Sequence, residues 1–407
     1  ETLRKGYFRL MADDRIRSAY PKARLDRQSG WYDLDLNVKR TKDLVVDFGG
    51  NFASRPINTA FIGAQYNLLG ATAVKVSANS YFGNFYGSVQ AKARLDFPGR
   101  FPLFIEPQYT RNRWDYFESQ STFFEDDNPS YLIQTERFGS LKAGIPLNNK
   151  SRLSAGVTYA RLIDEYYQTQ NFTSSDTADR TTFEATASFL RFERGRLNHK
   201  LYPNSGSYLS VTARYIDGEE FNEPGSTSDL NRNFSEFRYW WQFNLRYQNY
   251  YKPKGTIRLG LLVEAAYSTQ DPFNNYTASI LRAPAFTPNV ESRTLFLESF
   301  RAFQFVGVGH QFIINLFKQV DLRLAGYIFQ PYKYIEQNAE LGSDIREDFD
   351  TRFSIATAAA VYKSPLGPLS VGVNYYPEST EIVLGDRTPL TFLFHFGYVI
   401  FNNRAIQ

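Results

Sequence analysis

Apolar and polar residues alternate strictly along most of the chain, and this alternation predicts β-strands. Between residues 257 and 267 the odd positions are all apolar, whereas Arg258 and Glu264 lie among the even positions. Residues 236–248 repeat the pattern, with aromatic side chains and one Leu on one face and, apart from Trp240, polar side chains on the other. A period of two places successive side chains on opposite faces of a strand. The sequence therefore predicts strands with one apolar face and one polar or charged face.

The alternation divides into sixteen segments, which makes an all-β protein the predicted fold class. The segments are roughly 11 to 17 residues long, whereas strands of soluble proteins are nearer 5 or 6. This length, with mixed charges on the polar faces, disfavours a soluble sandwich and favours a wide barrel. The predicted strands are 43–53, 57–69, 71–83, 85–97, 102–117, 132–146, 152–167, 181–194, 206–218, 234–250, 256–268, 303–316, 319–331, 352–363, 367–377 and 390–402.

The connections between these segments mostly alternate between short and long. Short turns are predicted at 98–100, 148–150, 253–255 and 365–368. Long polar loops are predicted at 118–131, 168–180, 219–233, 269–302 and 332–351. An even strand count with this alternation is typical of outer-membrane barrels, whose short turns are periplasmic. We therefore expect a sixteen-stranded antiparallel transmembrane β-barrel, integral to a bacterial outer membrane.

Composition supports the same fold class and removes others. The chain of 407 residues has 36 Phe, 28 Tyr and 4 Trp, yet 22% of its residues are charged. In an outer-membrane barrel the aromatic side chains form the lipid-facing band and its girdles, and the charged side chains line a water-filled lumen. No apolar run reaches the length of a transmembrane helix, and the absence of Cys excludes disulfides and thiolate zinc sites. The net charge of +4 is spread along the chain and forms no basic patch, so we expect no nucleic acid as a partner. The predicted barrel implies outer-membrane lipid as a partner instead.

The first forty residues follow a different pattern. A short helix is predicted over Asp13 to Ala19, followed by a hairpin formed by 22–27 and 31–40. A helix and a hairpin suggest the end of a small α+β module that is too short to fold alone. We therefore predict two domains, a periplasmic module whose C-terminal part is residues 1–41 and a barrel of residues 42–407, with the N-terminus in the periplasm.

Several ordered motifs resemble the BamA superfamily of outer-membrane proteins. They are the first barrel strand VDFGGNF at 46–52, the turn RLN…YPNSG at 196–206, the sequence FRAF at 300–303, and the aromatic last strand at 392–401. The family usually has Gly at the position of Ala302. The resemblance covers nearly the whole chain and implies that residues 1–41 belong to a POTRA-like module. It also implies a C-terminal signal that the outer-membrane insertion machinery reads during assembly.

A closer resemblance is to the C-terminal half of Bacteroidota patatin-like phospholipases that carry a BamA-type barrel. It is carried by GYFRL at 6–10, GGNFASRPIN at 49–58, NRWDYF at 112–117 and PSYLIQ at 129–134. In that family a periplasmic serine hydrolase precedes the POTRA module. The resemblance thus implies a catalytic domain upstream of this chain.

The chain itself carries no recognisable catalytic motif. No Gly-x-Ser-x-Gly elbow occurs, and the nearest sequence, around Ser205, lies in a predicted turn. His199, His310 and His395 show neither metal-ligand spacing nor a Ser two residues away. We predict no catalytic, metal or cofactor residue here, and whether the full protein is an enzyme stays open.

Two sets of residues are nevertheless candidate functional sites. If the long loop 269–302 folds into the lumen, as the resemblance implies, Arg301 enters the barrel and needs a carboxylate; the candidates are Glu264, Glu236 and Asp321. Such a pair would anchor the loop and close or shape the pore, and a solvated loop arginine is the alternative. The resemblance also implies a weak seam between the first and last strands that can open laterally. An ordinary closed seam with a glycine kink is the alternative. The seam residues are Leu44, Val46, Phe48, Gly49, Gly50, Phe394, Phe396, Gly397 and Tyr398.

Three functions remain in competition. The first is a barrel that anchors, and could translocate, an upstream patatin-like phospholipase. The second is an outer-membrane assembly factor or insertase without an enzyme domain. The third is a passive porin, which a loop ending in Arg301 disfavours because it would fill the pore. A homo-oligomer and a periplasmic partner protein both remain open.

Overall fold

The described part of the chain opens with a hairpin separate from the barrel sheet. The computed structural model describes residues 16–28, 30–40, 43–70, 72–97, 99, 102–116, 131–148, 150–169, 172–173, 175–228, 232–251, 255–377 and 389–406. Strand β1 (Ile16–Leu25) pairs antiparallel with β2 (Tyr32–Arg40), which confirms the predicted hairpin. The predicted helix is wrong over residues 16–19, which are the first residues of β1, because pairing with β2 supplies their backbone hydrogen bonds. Residues 13–15 lie outside the described part.

Sixteen of the remaining described strands form one closed antiparallel ring, as predicted. Strand β16 pairs only with the end of β15 and stands outside the ring. The strands are β3 (Leu44–Ala53), β4 (Thr59–Leu69), β5 (Ala73–Gly83), β6 (Tyr86–Phe97), β7 (Leu103–Tyr116), β8 (Leu132–Asn148), β9 (Ser151–Tyr166), β10 (Asp179–Leu197), β11 (Gly206–Glu223), β12 (Phe234–Tyr251), β13 (Ile257–Ser268), β14 (Gln304–Phe317), β15 (Val320–Gln337), β16 (Ser343–Glu347), β17 (Phe353–Ser364), β18 (Gly367–Tyr375) and β19 (Leu390–Gly397).

The connections define two different ends of the barrel. At the short-turn end, strands such as β14 and β15 are joined by two residues. The long-loop end carries the connection of residues 269–303 between β13 and β14, which we call the lumen loop. The predicted long loop 118–131 lies outside the described residues except for Tyr131.

The alternation seen in the sequence sorts side chains between the outer surface and the lumen. On β12, Phe237, Tyr239 and Trp241 are exposed on the outside, whereas Trp240 and Gln242 are buried inside. Lumenal polar groups pair with one another, as in the ion pair of Glu106 with Lys142 across β7 and β8 at 2.6 Å. The outer surface of the barrel is thus apolar, whereas the interior combines paired polar and charged groups with clusters of buried aromatic side chains.

Three segments fill the lumen. The lumen loop contributes helix α1 (Tyr276–Arg282) and two short 3-10 turns. The turn between β10 and β11, residues 198–205, enters from the short-turn end, and we call it the base turn. Residues 398–406, the tail, follow β19 into the barrel. No helix in the described part has the length and apolar character needed to cross a membrane.

The tail corrects the predicted last strand, 390–402, because β19 ends at Gly397. Gly397 has a φ of 98°, a conformation that only glycine adopts easily. Its neighbour across the seam leaves no room for a Cβ, since a side chain there would meet the carbonyl oxygen of Gly50. The chain therefore turns inward at Gly397.

Candidate functional site in the lumen and at the seam

The helix of the lumen loop is fixed to the barrel wall at both of its ends. At the N-cap, the Asn275 side chain accepts a hydrogen bond from the Ala278 N–H at 2.8 Å and donates one to the Tyr166 hydroxyl at 2.8 Å. At the last residue, the guanidinium of Arg282 forms a buried ion pair with Asp164 of β9. Capping satisfies the free N–H groups of the first turn, so α1 is held inside the ring by polar contacts at two points.

Arg301 enters the lumen, but none of its predicted carboxylate partners contacts it. Its guanidinium lies 3.3–3.4 Å from the carbonyl oxygens of Ile280, Leu281 and Ala283, and 4.4 Å from the centre of the Phe296 ring. The last carbonyls of a helix have no partner within the helix and carry a partial negative charge. They replace the carboxylate, so Arg301 joins the two ends of the lumen loop to each other.

The three predicted partners of Arg301 pair elsewhere. Glu264 pairs with Arg246, and the exposed Glu236 pairs with Arg238 at 2.7 Å. Asp321 pairs with Arg323 at 3.0 Å and with Lys363 at 2.6 Å. All four cations lie on the same strand as their carboxylate or on an adjacent strand of the ring, so these pairs can form before the loop is placed.

Aromatic packing supports the base of the lumen loop. Phe286 and Phe300 lie against Phe329 of β15, with ring centres 5.9 and 5.7 Å apart. Ala302 is fully buried, and its N–H donates to the Pro284 carbonyl at 3.2 Å. The alanine that replaces the glycine of the resembled motif is therefore accommodated within the packed loop.

The base turn crosses the short-turn end and contacts strands on the opposite side of the ring. The Tyr202 hydroxyl donates to Ser370 Oγ at 3.0 Å, and Ser370 Oγ lies 2.7 Å from His395 Nδ1. Arg323 donates to the carbonyl oxygens of Tyr202 at 2.7 Å and Pro203 at 3.0 Å. Sequence reasoning missed this cluster because Ser370 and His395 are cross-strand partners on β18 and β19. Only the strand register could have revealed the pair.

This Ser–His pair lacks the third group of a hydrolase triad. Within the described residues His395 Nε2 has no hydrogen-bond partner, and no carboxylate contacts the imidazole. A triad requires such a group to orient the base. The geometry thus favours a structural role for His395, which holds the base turn through Ser370. His310 lies on the outer face beside Tyr251.

The tail is bound along the lumenal faces of β5 to β8. Asn402 Nδ2 donates to Asn79 Oδ1 at 2.9 Å and to Ser88 Oγ at 2.8 Å. The Ala405 N–H donates to Glu136 Oε2 at 3.1 Å. Arg404 stacks on Trp114 at 4.2 Å from its ring centre. Side-chain and backbone groups therefore both fix the tail inside the barrel.

The seam that closes the ring is short. Strands β19 and β3 share three residue pairs, His395 with Ala53, Phe396 with Phe52 and Gly397 with Asn51. Three further bonds extend it, from the Tyr398 N–H to the Gly50 carbonyl at 3.0 Å, from the Ser54 N–H to the Phe394 carbonyl at 2.9 Å, and from the Phe394 N–H to Ser54 Oγ at 3.2 Å.

Part of the predicted seam is not brought together. Residues 44–49 pair with β4 but not with β19, so Leu44, Val46, Phe48 and Gly49 leave one side of β3 without a strand partner in the described structure. Phe48 is 85% exposed. The other predicted seam residues, Gly50, Phe394, Phe396, Gly397 and Tyr398, do meet where the strands join.

Comparison with known proteins identifies the fold. No protein-family model and no curated protein matches the sequence. Among solved structures, the chain is similar to BamA from Haemophilus ducreyi lacking POTRA domains 1–3, with a TM-score of 0.60 and 12% identity over 97% of this chain and 77% of that one. It is also similar to CdiB from Escherichia coli, with a TM-score of 0.52 and 11% identity over 97% and 70% of the two chains. CdiB from Acinetobacter baumannii gives 0.50 and 10%, over 94% and 66%.

Proposed function

We propose that the chain is an integral outer-membrane barrel of the BamA type, which handles its substrate at the seam and not through an open pore. The observation that carries this proposal is the combination of a filled lumen with a seam of three residue pairs. The lumen loop, base turn and tail occupy the interior. The seam shares fewer residue pairs than any other strand junction of the described ring, which makes it the weakest part of the wall. An assembly or transport function fits this geometry.

The outer surface supports the membrane location. Large apolar side chains are exposed on strands all around the ring, including Phe82, Tyr159, Trp241, Val308 and Phe392. An exposed apolar band of this extent is unfavourable in water but favourable against lipid. Sixteen strands also close into a ring, so that most of their backbone groups are paired as a bilayer requires, apart from one side of residues 44–49. In this location the short-turn end and the N-terminal hairpin face the periplasm.

The proposal is tested by the conductance of the purified barrel in planar bilayers. A filled lumen predicts low and transient conductance, whereas a porin gives stable, large steps. Deletion from residue 399 onward removes the tail beyond Tyr398, which stays bonded to the seam, and is expected to raise conductance. A steady, large conductance of the unmodified protein would contradict the proposal and favour the passive porin.

A second and finer proposal is that the barrel anchors an upstream patatin-like phospholipase through a POTRA-like module. It rests on the sequence resemblance of residues 49–58 and 112–117 and on the N-terminal hairpin, which is compatible with the end of such a module. The test is the intact mass of the protein from its native membrane. A surplus of about 30 to 40 kDa over this chain, the size of one large domain with the rest of the module, and labelling by a serine-directed probe would support it. A full-length gene without an upstream Gly-x-Ser-x-Gly would refute it.

A further inference from the structure

A basic cavity lies inside the barrel where the lumen loop, base turn and tail meet. Its volume is about 370 Å³, and β7 forms part of its wall through Trp114 and Tyr116. Four cationic side chains line it, namely Lys200, Arg293, Arg301 and Arg404, and no carboxylate is among its lining residues. Since carboxylates are common elsewhere in this lumen, the one-sided charge requires an explanation.

Two lumenal carboxylates near this cavity already have cationic partners, one of which is the cavity residue Arg404. Arg404 lies 4.0 Å from Glu136, and Arg282 is paired with Asp164. By contrast, Lys200, Arg293 and Arg301 form no ion pair with any residue that the structure describes. Arg301 is 95% buried, and its Nε atom has no hydrogen-bond partner there. Buried guanidinium groups are normally paired with a carboxylate, whereas the helix carbonyls that contact Arg301 carry only partial charge. With Lys200 and Arg293 exposed to water in the same cavity, the cavity holds an excess of positive charge.

We infer that the basic cavity binds a phosphorylated ligand. A phosphate monoester carries a charge of about −1.5 to −2 at neutral pH, which matches several uncompensated cations better than a single carboxylate does. The planar guanidinium groups of Arg293 and Arg301 suit two oxygens of one phosphate. Thr287 lines the same cavity and offers a further hydroxyl donor.

Two sources could supply this phosphate, a soluble phosphate ester or a phospholipid headgroup. The apolar lining residues Leu201, Leu295, Val399 and Ile400 would receive the start of an acyl chain. Residues 399–402 of the wall also follow directly on Tyr398, which is bonded to the seam. The inference goes beyond the proposed function, because it concerns a ligand of the lumen and holds whichever substrate the seam handles.

The test is calorimetric titration of the purified barrel in dodecyl maltoside at 150 mM NaCl. The probes are glycerol 3-phosphate, dioctanoyl phosphatidic acid and, as a neutral control, dioctanoylglycerol. The test variant is Arg293→Gln. The matched control is Arg196→Gln, which removes the same charge from an exposed side chain at the short-turn end that does not line the cavity. The heat-dependent gel mobility of each variant reports that its barrel is folded.

We expect at least one phosphorylated probe to bind, with unchanged affinity for Arg196→Gln and at least tenfold weaker binding for Arg293→Gln. This is the loss expected for a charge-assisted hydrogen bond. Tighter binding of phosphatidic acid than of glycerol 3-phosphate assigns the site to a headgroup, and equal or weaker binding assigns it to a soluble ester. Equal weakening by both substitutions, equal binding of dioctanoylglycerol, or no binding of either phosphate probe would overturn the inference.

Discussion

Arg282, the last residue of helix α1, forms a buried ion pair with Asp164 on β9, 118 positions earlier in the chain. Both side chains are almost fully buried, with 5% and 1% of their surface exposed. Gln134 donates to the other oxygen of the Asp164 carboxylate at 3.1 Å. This contact fastens the lumen loop to the ring, the role that sequence reasoning assigned to Arg301.

Replacing Arg282 by Gln should destabilise the folded barrel by about 3 to 5 kcal/mol, because it leaves the Asp164 carboxylate buried without its cation. Urea unfolding, followed by gel mobility in detergent, measures the change. Arg161→Gln is the control, since Arg161 is half-exposed and pairs with Glu184 at 3.3 Å; a surface pair contributes only about 0 to 1 kcal/mol. Equal effects of the two substitutions would show that the Arg282 pair is no special anchor.

Gly397→Ala should prevent normal closure of the seam. The residue has a positive φ, and an added Cβ would meet the Gly50 carbonyl oxygen. We expect a lower yield of heat-modifiable barrel in refolding assays. Gly372→Ala on β18 is the control, because a Cβ there would make only ordinary contacts, the nearest at 3.4 Å from Ala359. Normal refolding of Gly397→Ala would mean that the inward turn does not depend on glycine.

Cysteines introduced at Phe52 and Phe396 should form a disulfide across the seam. These residues are direct partners in the register, and cross-strand Cα distances lie within the range that a disulfide spans. The chain has no native Cys, so the product is unambiguous. The pair Phe48→Cys with Phe396→Cys is offset by about 13 Å along β3 and should not crosslink. Efficient crosslinking of the offset pair would reveal a seam that slides in register.

Arg323→Lys should loosen the base turn. Arg323 donates to two turn carbonyls and to Asp321 at once, whereas a Lys ammonium cannot reproduce this planar set. Loss of one hydrogen bond from a charged group costs about 1.5 to 3 kcal/mol. Faster tryptic cleavage after Lys200 in the turn is the measurement, with Arg194→Lys on the outer face as the control. An unchanged cleavage rate would show that Arg323 does not hold the turn.

The strands were predictable because their information is local. A period of two identifies the faces of β12 or β13 without knowledge of their neighbours, and the strand count followed from it. The partners of Arg301 were not predictable in this way. The sequence shows a lumenal guanidinium, but the free carbonyls of α1 become available only after the loop has folded.

The cluster at the base turn and the path of the tail required information from the closed ring. The turn that follows β10 carries Tyr202 across the short-turn end of the barrel to Ser370 and His395 on β18 and β19. This contact exists only once the ring has closed. The aromatic pattern of residues 392–401 continues past Gly397, so it predicted a longer strand. The strand ends early at Gly397, whose positive φ cannot be inferred from the alternation of apolar and polar residues.

The placement of the tail inside the ring has a consequence for the timing of assembly. Ser54 and Phe394, which join the two sides of the seam, are 340 positions apart, so their contact is among the slowest to form. The tail follows β19 in the chain yet occupies the interior that β19 closes. Closure and filling are therefore coupled events at the end of folding, and any factor that delays them prolongs the life of an open, curved sheet in the membrane.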